Sequence, residues 1–241
     1  MASYQGMPYI AAQLASILLQ LHADDEVVIS DNGSTDGTWE YLQSQSQKDT
    51  RIRIFTLASP KGVLPNFQNA LQQCRGEIIF LSDQDDIWKE NKMDAISRLF
   101  ALDPRLLAVQ GDAELIDPAG RLIAPSFFAI RKCGPGFWKN FAKNTWQGCS
   151  MAFRRSVLDL ALPFPSKIPM HDMWIGMLAD LAGNVIFLPE VLISYRRHED
   201  NRTAMKKARW HTVLTWRLRL GGAILARLGR IRKFASGNRI K

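Results

Sequence analysis

The N-terminal third of the chain alternates between segments with helical spacing of apolar residues and short, nearly continuous apolar runs. Apolar residues between Tyr9 and Leu21 form one face of a predicted helix, and Glu26 to Ser30 follows as a β-branched run typical of a buried strand. The alternation continues with a helix at Thr38 to Gln45, a strand at Arg51 to Leu57, a helix at Pro65 to Cys74 and a strand at Glu77 to Ser82. Strands separated by helices form βαβ units, so we predict an α/β fold with a mostly parallel twisted sheet and helices on both faces.

Beyond Leu99 the alternation weakens, and stretches rich in Pro and Gly separate the remaining elements. Leu107 to Gly111 and Val185 to Leu188 are predicted strands, and Met173 to Leu181 is a predicted helix. Loops in such a region usually carry the specific partner of an α/β enzyme. We expect one domain over residues 1–203 and a basic helical tail over residues 204–241.

The basic charge of the chain is concentrated near its C-terminal end. The sequence has 31 Lys and Arg against 23 Asp and Glu, a net charge of +8, but residues 201–241 hold twelve of the basic residues and no acidic residue. The first 200 residues therefore carry 19 basic and 23 acidic side chains, a net charge of −4. This distribution argues against a nucleic-acid surface on the domain and for a basic appendage with its own anionic partner.

Cysteine usage and hydropathy favour a reducing compartment. Cys74, Cys133 and Cys149 are odd in number and lack metal-ligand spacing, so we expect no disulfide framework. No signal-peptide pattern opens the sequence, and arginines interrupt the apolar stretch from Leu214 to Ile231. We therefore expect a cytoplasmic protein without a membrane-spanning helix.

The tetrad Asp83-Gln84-Asp85-Asp86 places three carboxylates directly behind the predicted strand that ends at Ser82. Open α/β sheets hold their ligands at the carboxyl ends of their strands. Clustered carboxylates repel one another, and hard oxygen ligands suit Mg²⁺ or Mn²⁺. The alternative is a solvated turn that caps the next helix.

The loop from Ser30 to Thr38 follows a predicted strand and opens a helix. It can present Asp31 to a ribose or a base edge, while Gly33 lets the backbone approach closely. The alternative is a βα turn whose polar residues cap the helix. The glycine spacing of dinucleotide-binding loops and the Gly-Lys-Ser/Thr ending of a P-loop are both absent from this loop.

Two later motifs carry further candidate chemistry. Asp172 is suited to general-base work on a hydroxyl, with His171 and Trp174 shaping its environment, although a plain helix N-cap is an alternative. Arg196 and Arg197, followed by His198, could clamp a diphosphate or complete a metal shell, or lie on a solvated surface.

The order of these motifs resembles that of the family-2 inverting glycosyltransferases with a GT-A fold, over residues 2 to 203. The matching segments are Ala2-Ser3-Tyr4-Gln5-Gly6, Ile29 to Thr38, Gly62 to Phe67, Phe80 to Trp88, Gln147-Gly148-Cys149-Ser150, His171-Asp172 and Tyr195-Arg196-Arg197-His198. The tetrad is similar to the DxD element of members often assigned as rhamnosyltransferases. Gln147 to Ser150 resembles the acceptor-side loop.

The resemblance implies a role for each matching residue. Tyr4 and Asp31 would contact the nucleoside of a dTDP- or UDP-sugar. Asp83 would lie near the ribose and the metal, Asp85 would ligate Mg²⁺ or Mn²⁺, and Asp86 would support either role.

On the acceptor side, Asp172 would deprotonate a hydroxyl of a glycan or lipid-linked acceptor, so that the anomeric configuration inverts. Arg196, Arg197 or His198 would stabilise the leaving diphosphate, and His198 would join the metal shell. L-rhamnose from its dTDP form is the expected sugar.

The first strand departs from the family pattern, because only Met1-Ala2-Ser3-Tyr4 remains of it. A central strand of that length leaves ladder groups unpaired and removes core contacts, a cost of several kcal/mol against a typical stability of about 5–15 kcal/mol. We expect the true start to lie upstream.

The tail from Lys206 to Lys241 interleaves Trp and Leu with arginines. An amphipathic helix of this kind would lie on an anionic inner leaflet, where each basic residue contributes about 1 kcal/mol. The alternatives are a helix packed on the domain and a nucleic-acid patch. We expect a peripheral protein on the inner face of the cell membrane that binds no nucleic acid.

Two rival functions follow from the same residues. A phosphatase with Asp83 as nucleophile and Asp85 as acid fits the strand-end position of the tetrad, but the tetrad comes after two earlier βα units. A non-catalytic, membrane-bound sugar-nucleotide-binding protein would retain ligand binding without transfer.

Overall fold

The computed structural model of the protein describes residues 1–57, 59, 61–166, 168–198 and 210–237. Its N-terminal part is a three-stranded parallel sheet in the order β1, β2, β3. The strands are β1 (Ala2–Ser3), β2 (Val27–Asp31) and β3 (Ile52–Thr56), and the helices between and after them are α1 (Ile10–Leu18), α2 (Thr38–Lys48) and α3 (Val63–Gln73). These bounds agree within a few residues with those predicted from apolar spacing.

A second sheet of six strands forms the rest of the framework. Its path runs β4 (Ile78–Phe80), β8 (Met151–Arg154), β6 (Leu106–Ile116), β9 (Asn184–Arg196), β5 (Ile87–Trp88), with β7 (Leu122–Ala124) paired to β6. The pair β6–β9 is parallel, and the other pairs in this sheet are antiparallel. The α/β class is confirmed. The second sheet is mixed, because β5, β7 and β8 join it through short antiparallel pairings that apolar spacing alone does not reveal.

Helices and two short 3₁₀ turns pack around this sheet. They are α4 (Lys92–Leu102), α5 (Phe127–Arg131), α6 (Phe137–Ala142), a 3₁₀ turn at Gly148–Ser150, a second at Arg155–Val157, α7 (Leu158–Ala161), α8 (His171–Ala182) and α9 (Trp210–Gly237). The largest hydrophobic core lies between the second sheet, α8 and α9, with Trp174 at its centre. A smaller core joins α1 to β2.

Helix α9 lies within the predicted tail, and one face of it packs on the domain. Leu220, Ile224 and Ile231 are buried against the core around α8. On the other face, Leu214 and Leu225 stay 51% and 67% exposed. The packed-helix alternative is therefore correct for one face of α9, and the predicted boundary at residues 203 and 204 lies outside the described residues. In the described part of the chain, every helix is too short or too polar to cross a membrane.

Strand β1 is an edge strand rather than the central strand expected. Its register pairs Ala2 with Ser30 and Ser3 with Asp31, so β2 extends beyond it toward Val27. The Met1 amine is buried and donates to the Val28 carbonyl at 2.7 Å. A cavity of about 640 Å³ lies beside this end of β1, between β2 and β4.

Candidate active site

The acidic tetrad lies in the loop between β4 and β5, and the two residues of β5 fix where it points. Ile87 pairs with Ser194 and Trp88 with Ile193 on β9. This pairing brings the tetrad to the end of β9, which is Arg196, with His198 two residues further on. The pairing of β5 with β9 thus joins two motifs more than a hundred residues apart.

Asp85 and His198 form the closest pair at this junction. His198 Nε2 lies 2.7 Å from Asp85 Oδ2, and both side chains are 14% exposed. The imidazole stacks on the Tyr9 ring at 5.3 Å between centroids. These contacts hold a carboxylate and an imidazole side by side.

Asp83 and Asp86 lie deeper in the same cluster. Their carboxylate oxygens and Cys149 Sγ are within 4.8 Å of one another. Burial, together with the charge of Asp85, raises the pKa of Asp83 to about 7 and that of Asp86 well above its ordinary value. Asp86 Oδ1 accepts the Arg196 N–H, while Oδ2 has no hydrogen-bond partner among the described residues.

This donor set fits a divalent cation. Crowded carboxylates with raised pKa values gain stability from added positive charge, and Mg²⁺ and Mn²⁺ prefer oxygen ligands. The ligand atoms that lie within 4.8 Å of one another belong to Asp83, Asp86 and Cys149. The predicted ligands Asp85 and His198 pair with each other and line the same cavity as Asp83.

Lys92 is a component of the site that sequence analysis missed. Its side chain is fully buried at the first turn of α4, where Nζ donates to the Cys149 carbonyl at 2.7 Å and lies 4.1 Å from the centre of the Trp88 ring. Burial lowers the pKa of Lys92 to about 8, while the charges of Asp83 and Asp86 act to raise it. The sequence carries no signal for this role, because its burial depends on Cys149, 57 positions further along the chain.

Gln84 is a second missed residue. Its Oε1 accepts the Tyr4 N–H at 2.7 Å, and its Nε2 donates to the Tyr4 carbonyl at 2.9 Å. One amide therefore pairs with the backbone of the loop after β1, much as a neighbouring strand would. The Tyr4 side chain is 47% exposed and lines the same cavity as Asp83 and Asp85.

Asp172 lies in the first turn of α8, opposite the tetrad. Its Oδ1 accepts the Met173 N–H at 2.6 Å and its Oδ2 accepts the Gly148 N–H at 3.1 Å. Burial raises its pKa to about 6 in spite of these hydrogen bonds, which stabilise the ionised form. A carboxylate of this kind is ionised at neutral pH and still basic enough to accept a proton.

His171 is buried beside Asp172 and stacks on Phe67 with 3.7 Å between ring centroids. Burial, followed by the charge of the N-terminal amine, lowers its pKa to about 3, so the ring is neutral at pH 7. It shapes the surroundings of Asp172 without adding charge.

One cavity of about 660 Å³ joins the two halves of the site. Its lining includes Tyr4, Asp83, Asp85, Asp172 and His198. The charge of Asp172 contributes to the raised pKa of Asp83, which reflects their proximity. The predicted cation site and the predicted base therefore face one space.

The structure places Asp31 differently from the expectation of a nucleoside contact. Asp31 is buried, and its carboxylate accepts hydrogen bonds from the backbone of Gly33 and Ser34 and from the hydroxyls of Ser3 and Ser34. Four donors fill the acceptor capacity of a carboxylate. In this structure Asp31 shapes its own loop and is not part of the cavity lining.

Arg196 and Trp174 also need correction. The Arg196 guanidinium donates to the carbonyls of Asp85, Asp117 and Pro118, so it braces the tetrad loop from behind instead of reaching a diphosphate. Trp174 is fully buried, and its Nε1 donates to the Ala161 carbonyl at 3.0 Å. Its helical position turns it away from Asp172 and into the core.

Arg197 packs on the side chain of Tyr195. Its Nη1 donates to the Tyr195 hydroxyl at 3.0 Å, and its guanidinium lies over that ring. It is partly buried and does not belong to the cavity lining.

Comparison with known proteins identifies the family. The family model described as Glycosyl transferase family 2 matches residues 1–159, about two thirds of the chain. This chain belongs to glycosyltransferase family 2. The matched part contains the tetrad, Lys92 and the Gly148 turn.

Two related proteins match most of this family-2 chain. An uncharacterised glycosyltransferase of Nostoc sp. is 28% identical over 212 residues, covering 83% of this chain and 64% of the relative. WfgD of Escherichia coli, named a UDP-Glc:alpha-D-GlcNAc-diphosphoundecaprenol beta-1,3-glucosyltransferase, is 26% identical over 211 residues, covering 86% and 79%. The chain thus spans just under two thirds of the Nostoc relative.

Solved structures confirm the GT-A fold. Staphylococcus aureus TarS residues 1–349 in complex with UDP-GlcNAc superposes with a TM-score of 0.72 at 18% identity, covering 94% of this chain and 66% of that one. The mannosyltransferase PcManGT of Pyrobaculum calidifontis, in complex with GDP-Man and Mn²⁺, gives a TM-score of 0.59 at 20% identity, covering 96% and 62%.

Proposed function

We propose that this glycosyltransferase moves a sugar from a nucleoside-diphosphate donor to a hydroxyl of a lipid-linked glycan, with inversion at the anomeric carbon. The observation that carries the proposal is the shared cavity, in which Asp172 faces the cluster of Asp83, Asp85 and His198. A base on one side and a diphosphate-binding cation site on the other are the two requirements of an in-line displacement. The base is Asp172, and no second nucleophile is needed.

The proton transfer follows from the position of Asp172. One carboxylate oxygen accepts the proton of the acceptor hydroxyl while the hydroxyl oxygen forms a bond to the anomeric carbon. The bond from that carbon to the diphosphate oxygen breaks, and its electron pair leaves with the nucleoside diphosphate. The N–H groups of Gly148 and Met173 hold the carboxylate in place during the transfer.

The departing diphosphate gains negative charge, and the tetrad side of the cavity is where it would be held. When bound, Mg²⁺ or Mn²⁺ would offset that charge. Asp83, Asp85 and His198 would hold the ion, and Gln84 would keep Tyr4 beside the nucleoside.

The identity of the donor is a finer part of the proposal. The tetrad resembles that of rhamnosyltransferases, which supports dTDP-L-rhamnose. WfgD is named for a UDP-Glc donor and the TarS structure contains UDP-GlcNAc, so UDP-glucose and UDP-GlcNAc are the donors to compare. Sugar selection depends on side chains placed within about an ångström, so a direct comparison is required.

A membrane-surface location on the cytoplasmic side accompanies a lipid-linked acceptor. Supporting residues lie on α9, where Leu214, Leu218 and Leu225 remain exposed along one stripe. Arg219, Arg230 and Lys233 are exposed on the same helix. An apolar stripe next to cations suits an anionic headgroup layer.

The experiment compares nucleotide release from these three donors with Mn²⁺ and with chelator. We expect one donor to be hydrolysed slowly without acceptor and Asp85→Ala to remove metal-dependent turnover. Asp172→Asn should keep UDP or dTDP binding and lose transfer by at least about a thousandfold, within the range of a lost general base and its positioning. Asp159→Asn, an exposed acid in the first turn of α7, is the matched control and should retain full activity. Undiminished turnover in chelator would refute the cation assignment, and a full rate in Asp172→Asn would refute the base.

A further inference from the structure

We propose that the short helix α6 carries a second membrane contact, in which the Trp138 ring enters the headgroup layer of an anionic bilayer beside α9. We call Trp138, Lys139 and Lys143 the α6 surface. The inference rests on the membrane location in the proposed function. It adds an element from a different part of the chain and fixes which side of the domain faces the lipid.

Trp138 is the outermost of three aromatic rings on α6. Phe137 and Phe141 pack against the largest hydrophobic core. The Trp138 ring meets them edge-on, with 5.0 Å and 6.3 Å between ring centroids, yet Trp138 is 77% exposed. Tryptophan is enriched at membrane interfaces because its ring has an apolar body and one N–H that can stay hydrated. A ring held outward on a packed base therefore suits insertion at the level of the headgroups.

The charge around α6 selects an anionic partner. Residues 118–158 contain seven Lys or Arg and no Asp or Glu. Lys139 and Lys143 are exposed on α6 and at its C-cap, and Arg131 and Lys132 are exposed at the end of α5. Protein–protein interfaces are depleted of lysine, whereas an anionic headgroup layer attracts each of these cations. The composition of the surface thus favours lipid over a protein partner.

Direct contacts join α6 to the N-terminal half of α9. Arg217 Nη2 donates to the Ala142 carbonyl at 3.2 Å, and the Arg217 guanidinium lies 5.9 Å from the centre of the Phe141 ring. Leu214 and Leu218, within one turn of Arg217, are 51% and 68% exposed. Two elements far apart in sequence therefore present the same combination of exposed apolar side chains and cations next to each other. A single bilayer plane requires such an arrangement.

Helix α8 links the α6 surface to the active site. The Gly136 N–H, at the start of α6, donates to Asp180 Oδ2 on α8 at 3.0 Å. Asp172 lies near the other end of the same helix, about 12 Å away along its axis. A bilayer against α6 would thus lie within a helix length of the base, which suits an acceptor whose sugar is held in the headgroup layer.

The first test is co-sedimentation with vesicles of phosphatidylglycerol and phosphatidylcholine, and with vesicles of phosphatidylcholine alone. We expect Trp138→Ser to weaken binding to the anionic vesicles about tenfold, the effect of partly burying one large apolar side chain. Leu102→Ser is the matched control, because Leu102 is 81% exposed at the end of α4, and it should bind as the intact protein does.

Charge reversal tests the cations separately. Lys143→Glu should weaken binding to the anionic vesicles by at least about fivefold, because each cation near such a surface adds to the attraction. It should not change binding to phosphatidylcholine alone. Lys48→Glu, at an exposed position in the last turn of α2, is the control and should bind normally. Equal losses for the two reversals would show that only net charge matters and would overturn the assignment to α6.

Vesicles with brominated phosphatidylglycerol test insertion of the ring itself, since bromine quenches tryptophan emission at short range. Trp138→Tyr keeps an interfacial aromatic ring, so we expect vesicle binding to change by less than about twofold. The quenched fraction of the emission, compared at equal bound fractions, should fall. A Trp138 ring that stays outside the lipid would leave this fraction unchanged, and that result overturns the inference.

Further outcomes distinguish the α6 surface from α9 and from a protein contact. If the intact protein ignores anionic vesicles, or if Leu225→Ala weakens their binding and Trp138→Ser does not, the α6 surface is refuted. If Trp138→Ser changes only the oligomeric state in sedimentation equilibrium, the ring docks on a second copy, and the inference is equally refuted.

Donor hydrolysis separates this inference from the proposed function. Trp138 does not belong to the lining of the cavity that contains Asp172, so Trp138→Ser should hydrolyse the donor at the rate of the intact protein. If the intact protein hydrolyses a donor but fails the vesicle tests, the α6 surface alone is overturned. If it passes the vesicle tests but neither binds nor hydrolyses a donor, the transfer reaction is overturned and the membrane contact stands.

Discussion

Asp172 combines two properties that oppose each other at the scale of a single residue. Burial raises its pKa to about 6, so it is a stronger base than an exposed aspartate, yet the protein must hold an ionised carboxylate away from water at neutral pH. Because the folded pKa lies above the unfolded value, the folded state binds more protons between these two values. The protonated Asp172 therefore contributes most to the free energy of unfolding below about pH 4. This contribution is lost as the pH rises through about 6.

We predict that Asp172→Asn stabilises the protein above pH 7 while it removes transfer. The pKa shift sets an upper limit of about 3 kcal/mol for the gain, and the mismatch between an amide N–H₂ and the Gly148 N–H reduces it. Urea unfolding at pH 8 and pH 5 checks this, since the difference between variant and parent should shrink at the lower pH. If the free energies of unfolding of variant and parent differ equally at pH 8 and pH 5, Asp172 is not the group that titrates.

Lys92 provides the second residue-scale prediction. Lys92→Met keeps the length of the side chain but removes the cation beside Asp83 and Asp86 and leaves the Cys149 carbonyl without its donor. We expect a loss of about 3–5 kcal/mol in the free energy of unfolding, the cost of breaking a buried charge arrangement from one side.

Lys89→Met is the control, because that lysine is partly exposed in its ion pair with Glu114 and should cost no more than about 1 kcal/mol. The measurement is chemical unfolding of both variants. A loss for Lys92→Met as small as that for Lys89→Met would contradict the role of Lys92.

At the scale of secondary-structure elements, helix α9 packs one face on the domain and leaves the other face exposed. Ile224 is 5% exposed and Leu225 is 67% exposed, although they are neighbours in the chain. Apolar spacing correctly predicted that this segment is amphipathic. It could not predict which surface the apolar face contacts. The same pattern fits a membrane surface or a protein core.

The adjacent pair allows a matched prediction. Ile224→Ala should cost about 2–5 kcal/mol of stability because it opens a cavity in the core. Leu225→Ala should change stability by less than about 0.5 kcal/mol but reduce sedimentation with phosphatidylglycerol vesicles. Thermal unfolding and vesicle co-sedimentation of both variants distinguish the faces. Undiminished vesicle binding by Leu225→Ala would argue against the exposed stripe as the contact.

At the scale of the whole molecule, what the sequence could predict depended on the range of the interactions. The helices and strands up to Ser82 follow from local spacing, and the tetrad, Asp172 and His198 were found because each stands in a short motif. The pairing of β5 with β9, the burial of Lys92 under Cys149 and the hydrogen bonds of Gln84 with Tyr4 join residues from 57 to 107 positions apart. No local pattern encodes such contacts. Arg196 and Trp174 were misplaced for the same reason, since their residue types suit a binding site and only the packing shows that they face away from it.

The cavity between β2 and β4 leads to the last prediction. The register of β1 leaves Val27 and Val28 beyond its paired residues, and Ile79 and Phe80 line the opposite side. An engineered Val-Ile-Val extension ahead of Met1 would continue β1 along β2 and replace a buried amine, whose pKa is lowered by burial, with an amide. Each apolar side chain contributes about 1.5–3 kcal/mol on burial, and ordering each residue costs about 1–2 kcal/mol, so we expect a net gain of about 2 kcal/mol. Chemical unfolding is the measurement, and a Gly-Ser-Gly extension of equal length is the control that cannot fill the space. If the two extended chains are equally stable, the cavity does not accept a strand.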